Sequence, residues 1–380
     1  MADYHKKKDY SRYRPTGYPV RHRRKVPFYP MLSLSMDVRG QIRAIRGMDE
    51  QLSGFMLSEK DYLDLVKDAY ASNVHWSTKI EGNKLTIDEV RELTTRYTRG
   101  EVRESPNGPV QEIINHLRLM ISDDLFGLPW STDTVRDVHR MLMSGVGQTV
   151  PGEIRGCEAA VVGRDGFEYF IAAPASAVGE ELESLVDWVN SSPFDEVVTS
   201  ALFFHEFESI HPFEDGNGRT GRTMFQILMQ ELGLRNCSLC KFEEELLSDS
   251  RAYYELLAYT DQTQNYTPFV EYVTESLFVA YQRAVEEFSS KDRLRGMEEN
   301  TRLLAVRAKE CKQFSFHEAA SWLNLGESSV RSKLDDLVDM GILGKEGKTR
   351  AMRYIFLDPF RDLSGTVDLD DVGVSGNAEV

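Results

Sequence analysis

Apolar residues recur along most of this chain at the spacing of one helix face, with charged residues between them. Tyr62, Leu65 and Ala69 share one face of such a helix, and the pattern is typical of an amphipathic helix packed on a core. Ser58 precedes them as a suitable N-cap. The same spacing predicts helices over 33–53, 58–72, 74–81, 110–122, 178–191, 196–210, 218–233, 249–260 and 268–289.

One stretch breaks this pattern and predicts a β-hairpin. Two apolar runs, 159–163 and 167–171, lie close together in the chain. Between them stand Arg164, Asp165 and Gly166, and Asp-Gly between apolar runs is a typical hairpin turn. The sequence therefore predicts a mainly α fold that carries one β-hairpin.

A second, smaller helical pattern lies near the end of the chain, over 301–358. It predicts a short helix over 316–323, a turn, and a second helix over 328–340 with a serine as its N-cap. Residues 344–356 can form a two-stranded wing. This order is that of a helix-turn-helix followed by a wing.

Charge is unevenly distributed along the 380 residues, whose formal net charge is −16. Residues 1–25 hold nine Lys or Arg and two Asp, so the acidic charge lies mainly in the body of the chain. An acidic body does not attract nucleic acid through bulk charge. Any phosphate chemistry must therefore use a local cationic pocket.

The two ends of the chain are expected to be solvated tails, because their residues are mostly polar. No stretch approaches the roughly 18 apolar residues of a membrane span, and no apolar segment follows the basic N-terminus, so a cytoplasmic location without membrane contact is expected. The predicted order is a basic disordered tail (1–30), an N-terminal helical region (31–130), a helical core (131–290), the helix-turn-helix domain (301–358) and an acidic disordered tail (359–380).

The most informative segment is Ser-Ile-His-Pro-Phe-Glu-Asp-Gly-Asn-Gly-Arg-Thr-Gly-Arg, residues 209–222, between two apolar helices. Gly216 and Gly218 allow a tight turn whose N–H groups, with the helix N-terminus that follows, form an anion-binding nest. Arg219 and Arg222 are three residues apart and share one helix face. They can therefore hold two phosphate groups.

Two further residues of this loop supply candidate chemistry. Asp215 offers a hard oxygen ligand beside the phosphates, which suits Mg²⁺. His211 stands at the rim and is the nearby group that titrates near neutrality, so it is the candidate general base. A calcium-binding loop is excluded, because Arg219 and Thr220 occupy the positions that would need an oxygen ligand and a glycine.

With these residues in place, the chain resembles the Fic family. His-Pro-Phe-Glu-Asp-Gly-Asn-Gly-Arg-Thr-Gly-Arg agrees with that family's motif at every defined position, and the organisation agrees over about 35–290. The resemblance implies a Fic-type helical domain with a β-hairpin flap (Arg164, Asp165, Gly166), followed by a winged helix. It also implies transfer of AMP from ATP to a hydroxyl group of a target protein.

The resemblance further implies a role for each motif residue. His211 would deprotonate the target hydroxyl, and Phe213 would anchor the loop in the core. The ligand contacts implied are Asp215 with Mg²⁺; Gly216, Asn217 and Gly218 with the α- and β-phosphates; Arg219 with the β-phosphate; and Arg222 with the γ-phosphate.

A second motif concerns control of the reaction. Residues 77–83, Ser-Thr-Lys-Ile-Glu-Gly-Asn, fit the family's inhibitory pattern on a helix over about 74–83. Glu81 near the helix end could pair with Arg222 and occupy the γ-phosphate site. Members with such a glutamate can also remove AMP, so a bifunctional or mainly AMP-removing enzyme stays open, as does transfer of another phosphate-containing group.

Several weaker predictions complete the picture. Tyr253 and Tyr254 follow the motif helix and could line an adenine pocket, although aromatic residues at this spacing are often core. A winged-helix DNA-binding regulator is an alternative function, but ten basic and eight acidic residues over 301–358 give too little positive charge to favour it. The target protein is not readable from the sequence, and self-modification and a homodimer stay open.

Overall fold

The structure is a computed structural model, and it describes residues 8–23, 25–121, 127–162, 168–347 and 352–357. The chain divides into two compact units. The first comprises the residues up to Ser53 together with Leu65–Glu286, and the second comprises Gly54–Asp64 together with the residues from Glu287 onward. The predicted mainly helical fold is confirmed.

Fourteen α-helices and six strands are found among the described residues. The helices are α1 (Met36–Gly54), α2 (Glu59–Lys79), α3 (Ile87–Thr98), α4 (Gly108–Ile121), α5 (Thr132–Met143), α6 (Val178–Asn190), α7 (Glu196–Ile210), α8 (Asn217–Glu231), α9 (Phe242–Leu247), α10 (Ser250–Thr263), α11 (Thr267–Lys291), α12 (Glu299–Cys311), α13 (Phe316–Trp322) and α14 (Glu327–Asp339). The strands are β1 (Val20–Arg21), β2 (Ala160–Val162), β3 (Glu168–Ile171), β4 (Gln313–Phe314), β5 (Leu343–Glu346) and β6 (Arg353–Phe356).

The central helices of the first unit are α7 and α8. Almost every residue of α7 is buried, which explains why its sequence has no polar face. α7 ends at Ile210 and α8 begins at Asn217, so the motif loop connects two buried helices. The core therefore holds both ends of this loop.

Helix α2 differs from its prediction. Two helices, 58–72 and 74–81, were expected, but one helix runs from Glu59 to Lys79. The polar middle of α2 is accommodated by hydrogen bonding to a neighbouring segment, because the buried Asn73 side chain donates to the Cys240 carbonyl at 2.9 Å. Ser58 caps its start by accepting from the Asp61 N–H at 3.1 Å.

The predicted hairpin is present in the first unit. β2 pairs antiparallel with β3, with Val161 opposite Phe170. The turn residues Arg164, Asp165 and Gly166 lie outside the described residues. β1 adds a third strand parallel to β3, and the sheet order is β1-β3-β2.

The prediction of a disordered tail over 1–30 is wrong for the part that the structure describes. Residues 8–23 and 25–30, called the N-terminal strap below, pack along the first unit. Tyr10 and Phe28 are buried, and the Phe28 ring meets Trp188 edge-on at 4.9 Å. The aromatic residues between the basic ones bury enough apolar surface to order the segment.

The second unit contains the predicted short helices as α13 and α14. Strands β4, β5 and β6 form a sheet in the order β4-β6-β5. The N-cap of α14 is Gly326, with no side-chain hydrogen bond, so the predicted serine cap is wrong. Helix α12 and strand β4 were not predicted, and the acidic segment 359–380 lies outside the described residues.

Across the part of the chain that the structure describes, none of the helices combines the length and the apolar composition that a bilayer span requires.

Candidate active site

His211 occupies the position directly after α7, in a left-handed backbone conformation (φ 55°, ψ 62°). Its Nδ1 lies 3.3 Å from the Glu208 carbonyl, which can only accept a hydrogen bond. Nδ1 therefore carries the hydrogen, and the lone pair of Nε2 is available to take a proton. Burial lowers the pKa of His211, so the neutral, basic form prevails at pH 7.

The loop after His211 is held by Phe213 and Asn217. The Phe213 ring is buried and stacks on the His139 ring at 3.7 Å, in agreement with its predicted anchoring role. The Asn217 amide accepts from the Phe213 N–H at 2.9 Å and donates to the Phe213 carbonyl at 2.8 Å. These two bonds position the loop, and the contact of Asn217 with phosphate stays a prediction.

Gly216 is the turn that leads into α8. Its φ of 81° is in the left-handed region, and an added Cβ would lie 2.6 Å from the Met143 sulfur. Only glycine fits both conditions. The turn exposes the first N–H groups of α8, which have no partner within the helix and can bind an anion.

Arg219 is buried between two carboxylates. Its guanidinium donates to Glu112 Oε1 at 2.6 Å and to Asp215 Oδ1 at 2.7 Å. Asp215 is also bound by the Gly216 N–H at 2.6 Å, while its side chain remains 49% exposed. The predicted phosphate-binding arginine is thus held in place by Glu112, which the sequence did not single out.

Arg222 is fully buried at the end of α2. It donates to the Ser77 hydroxyl at 2.9 Å, to the Ser77 carbonyl at 2.8 Å and to Glu81 Oε1 at 2.7 Å. Burial alone would lower the pKa of Arg222, but the Glu81 carboxylate raises it above its ordinary value. The ion pair expected from the sequence is present.

The same Glu81 oxygen lies directly over Gly218. A Cβ atom added to Gly218 would collide with Glu81 Oε1 and would lie 2.9 Å from a terminal nitrogen of Arg222. Glu81 therefore places its charge on the N-terminal turn of α8, where an anionic ligand would also bind.

Glu208 lies one turn before His211. An added Cβ on Gly221 would come within 2.5 Å of Glu208 Oε1, so this carboxyl group is wedged against α8. Burial raises the pKa of Glu208 to about 8, against the opposing charge of Arg222. Glu208 is therefore protonated at neutral pH and adds no negative charge to the site.

The two candidate adenine-binding tyrosines have different positions. Tyr253 is buried in the core, where its ring stacks with Phe204 at 6.1 Å, so it does not line an open pocket. Tyr254 is 46% exposed, and its contact with a nucleotide stays a prediction.

Arg155 is a residue of the site that sequence reasoning missed. Its side chain is buried and donates to the backbone carbonyls of His211 at 2.6 Å and Ile210 at 3.0 Å. It also donates to the carbonyl of Ala173 at 2.5 Å, at the base of the hairpin. Arg155 thus fixes the carbonyl end of α7 to the hairpin. The sequence signal that could have identified Arg155 was its position just before the predicted hairpin.

His139, on the unpredicted helix α5, was also missed. Its Nδ1 accepts from the Gly152 N–H at 2.7 Å, so its Nε2–H donates to the Asp215 carbonyl at 2.9 Å. Burial lowers the pKa of His139 to about 4, which keeps the ring neutral. A single histidine on an amphipathic helix gave no sequence signal for this role.

His116 is a third buried histidine beside the arginines. Its Nε2 lies 3.0 Å from the Thr223 hydroxyl, and its Nδ1 has no hydrogen-bond partner. Burial, together with the charges of Arg222 and Arg219, lowers the pKa of His116 to about 3 from its ordinary value of 6.5. The folded protein therefore resists protonation of this ring.

We expect His116 to make the protein less stable in acid. Below pH 6.5 the unfolded chain binds a proton at His116 that the folded chain excludes, so this stability is complete above pH 6.5 and is lost as pH falls toward 3. Between pH 7 and 4.5, the wild type should lose about 2 kcal/mol more unfolding free energy than His116→Gln. Urea unfolding of both proteins at both pH values measures this, and parallel losses would contradict it.

The segment that contains the motif loop matches a known family. Residues 129–229 match the Fic/DOC family, so the chain carries a Fic/DOC family domain. This matched range contains the whole loop from His211 to Arg222.

Known proteins agree with this assignment. The chain is 25% identical over 232 residues to protein adenylyltransferase fic-1 of Caenorhabditis elegans, covering 58% of this chain and 42% of the relative. It is 24% identical over 232 residues to protein adenylyltransferase Fic of Nematostella vectensis, covering 57% and 49%. The chain thus spans less than half the length of these two curated relatives.

A solved structure supports the fold. The crystal structure of a Fic family protein from Desulfovibrio desulfuricans G20 superimposes with a TM-score of 0.58 at 22% identity, covering 87% of this chain and 98% of that chain. At this identity the similarity concerns the fold alone.

Proposed function

We propose that this protein transfers AMP from ATP to a hydroxyl group of a target protein, and that Glu81 restrains the reaction. The observation that carries the proposal is the joint placement of a neutral His211 and the N-terminus of α8, with two buried arginines on the same helix. A proton acceptor beside a phosphate-binding turn is what nucleotidyl transfer requires. The two curated relatives are named protein adenylyltransferases, which agrees with this chemistry.

The reaction follows from these positions. His211 Nε2 takes the proton of the target hydroxyl as its oxygen attacks the α-phosphorus of ATP. The new phosphorus–oxygen bond forms as the bond to the β-phosphate oxygen breaks, and pyrophosphate leaves. Arg219 and Arg222 stabilise the charge on the departing phosphates, and the N–H groups at the start of α8 hold the phosphate oxygens.

Asp215 fits a role in binding Mg²⁺ together with the phosphates. Its carboxylate is half exposed beside the phosphate-binding turn, and one oxygen is oriented by Arg219 and Gly216. Magnesium in such sites is bound by one or two carboxylates and by phosphate oxygens rather than by a protein cage. When bound, it would neutralise charge on the phosphates.

The end of α2 is proposed to be inhibitory. Glu81 forms an ion pair with the guanidinium of Arg222, to which we assign binding of the γ-phosphate. It also places a negative charge over Gly218. Productive ATP binding would require Glu81 to leave. The inhibition therefore acts on nucleotide orientation rather than on His211.

The second unit is proposed to be a winged helix that recognises protein rather than DNA. Helix α14 carries Asp335, Asp336 and Asp339, and Lys345 of β5 is paired with Asp335 at 2.8 Å. This face offers little free positive charge to a phosphate backbone.

The proposed function is tested by determining which phosphate group of ATP is transferred to protein. The full chain with Glu81→Gly is incubated with Mg²⁺ and a lysate, and with ATP labelled at either the α- or the γ-phosphate. We expect protein-bound label from α-labelled ATP only. Label from γ-labelled ATP alone would indicate phosphate transfer, and no label from either would overturn the transferase proposal.

A further inference from the structure

The N-terminal strap carries a buried polar cluster at the last turn of α7. His22 Nδ1 lies 2.7 Å from the Ser209 hydroxyl, and His22 Nε2 lies 2.5 Å from Glu181 Oε2. The Ser209 hydroxyl donates to Asp261 Oδ1 at 2.6 Å. The strap thereby joins α6, α7 and α10 at the last turn before His211.

Hydrogen-bond roles in this cluster orient the His22 ring. Because the Ser209 hydroxyl hydrogen is given to Asp261, Ser209 can only accept from His22 Nδ1–H. The other ring nitrogen, Nε2, lies against a carboxyl oxygen of Glu181. The ring is therefore held at both nitrogens, between α6 and α7.

Lys25 supplies a positive charge to the cluster. Its ammonium group lies 2.6 Å from Glu206 Oε2 and 3.7 Å from Asp261 Oδ1. Burial alone would raise the pKa of Glu206, but Lys25 and His205 lower it to about 2. His22 and Lys25 of the strap thus face three acidic side chains buried in the helices (Glu181, Glu206, Asp261).

A metal ion is not needed to balance this cluster. His22, Glu181 and Glu206 offer ligand atoms within 4.8 Å of one another. However, His22 Nε2 already lies against Glu181, and the Lys25 ammonium already binds Glu206. These ligand atoms are therefore engaged within the protein.

The strap is also connected to His211 through the hairpin and Arg155. The His22 N–H donates to the Ile171 carbonyl at 2.8 Å, next to the β1–β3 pairing. β3 leads into Ala173, whose carbonyl is bound by Arg155, and Arg155 binds the His211 carbonyl. His22 therefore contacts both α7, which ends at His211, and β3, which leads to the segment that Arg155 bonds to His211.

We propose that His22 is a positioning residue for His211, acting through Ser209 in the last turn of α7, and that the strap is part of the catalytic domain. Ser209 is two residues before His211, and its hydroxyl is fixed only while His22 and Asp261 are both in place. Removing the His22 ring takes away the donor to Ser209 and a partner of the buried Glu181, and this frees the turn. The rate measurement below rests on the proposed AMP transfer.

The experiment compares two partial mimics of the imidazole ring in the full chain. His22→Asn can place an amide donor near the position of Nδ1 and restore the bond to Ser209, whereas His22→Gln places one near Nε2 and restores the bond to Glu181. Arg23→Ala is the matched control, since Arg23 is an exposed residue of the same strap. His22→Ala removes both bonds.

In the Glu81→Gly background, we expect His22→Ala and His22→Gln to lower kcat about tenfold with KM for ATP unchanged. His22→Asn should retain most of the rate, and Arg23→Ala should retain all of it. Equal rates for the Asn and Gln variants, or rate losses that simply follow melting temperature, would overturn the positioning role.

A second readout does not depend on activity. In protein labelled with ¹³C at the histidine Cε1 position, the His211 resonance is assigned by its loss in His211→Ala. We expect it to shift in His22→Ala and His22→Gln and to stay unchanged in Arg23→Ala. An unshifted His211 resonance in folded His22→Ala would overturn the inference even if no AMP transfer is found.

Discussion

Replacing Glu81 with glycine is expected to raise the rate of AMP transfer about tenfold to a hundredfold. Glu81 holds Arg222 at 2.7 Å and places its carboxylate over Gly218. Under the proposed function it would compete with the phosphates for one guanidinium and one helix N-terminus. A charge-assisted pair of this kind contributes about 1.5–3 kcal/mol, and each 1.4 kcal/mol is about a tenfold change in binding. The Glu81 side chain is 30% exposed, so solvent screening favours the lower figure.

The measurement is initial rate against ATP concentration for the wild type, Glu81→Gly, Glu81→Gln and Lys84→Ala. Glu81→Gln keeps the size of the side chain and removes its charge, so it should activate as well. Lys84→Ala is an exposed change in the same loop and should leave the rate unaltered. If neither change at Glu81 increases the rate, this ion pair does not restrain the enzyme.

Replacing His211 with alanine in the Glu81→Gly background is expected to lower kcat by about 10²- to 10⁴-fold, the usual contribution of a positioned general base. The Nδ1 hydrogen is directed at the Glu208 carbonyl, and burial lowers the pKa, so the ring presents a neutral Nε2 to the target hydroxyl. None of the phosphate contacts assigned above involves this ring. Nucleotide binding should therefore survive the substitution.

The control for His211→Ala is ATP affinity, measured by calorimetry on the same variant. Unchanged affinity with lost transfer separates a missing base from a damaged fold. Transfer that continues within a few-fold of the parent rate would show that the target hydroxyl is deprotonated by another group.

The residues of the motif loop could be identified from the sequence because their chemistry depends on near neighbours. Gly216 shapes the turn before α8, and Arg219 and Arg222 share a face of that helix, as predicted. Gly218, predicted as a turn residue, instead lies in the first turn of α8 beneath Glu81. The capping box of Thr86 and Glu89 at the start of α3 is equally local, since all its hydrogen bonds are between residues three apart. Such patterns depend on backbone geometry within one or two turns.

The supporting contacts could not be identified in this way. Glu112 reaches Arg219 across 107 residues of chain, and the bond from Arg222 to Ser77 of the inhibitory motif spans 145. Arg155 and His139 contact backbone carbonyls, which are the same for any residue type and leave no pattern in the sequence. The bonds between the Asn217 side chain and the Phe213 backbone depend on the folded loop.

Most of the helices, the hairpin and the turn at Gly216 follow from residues adjacent in the chain, because periodicity, caps and glycine conformations are local properties. The order of the N-terminal strap is different. Judged by composition, its basic residues indicated a solvated tail, but His22 and Lys25 meet carboxylates 159 and 181 residues away. Buried charges are stable only beside their partners, and those partners come together only when α6, α7 and α10 pack.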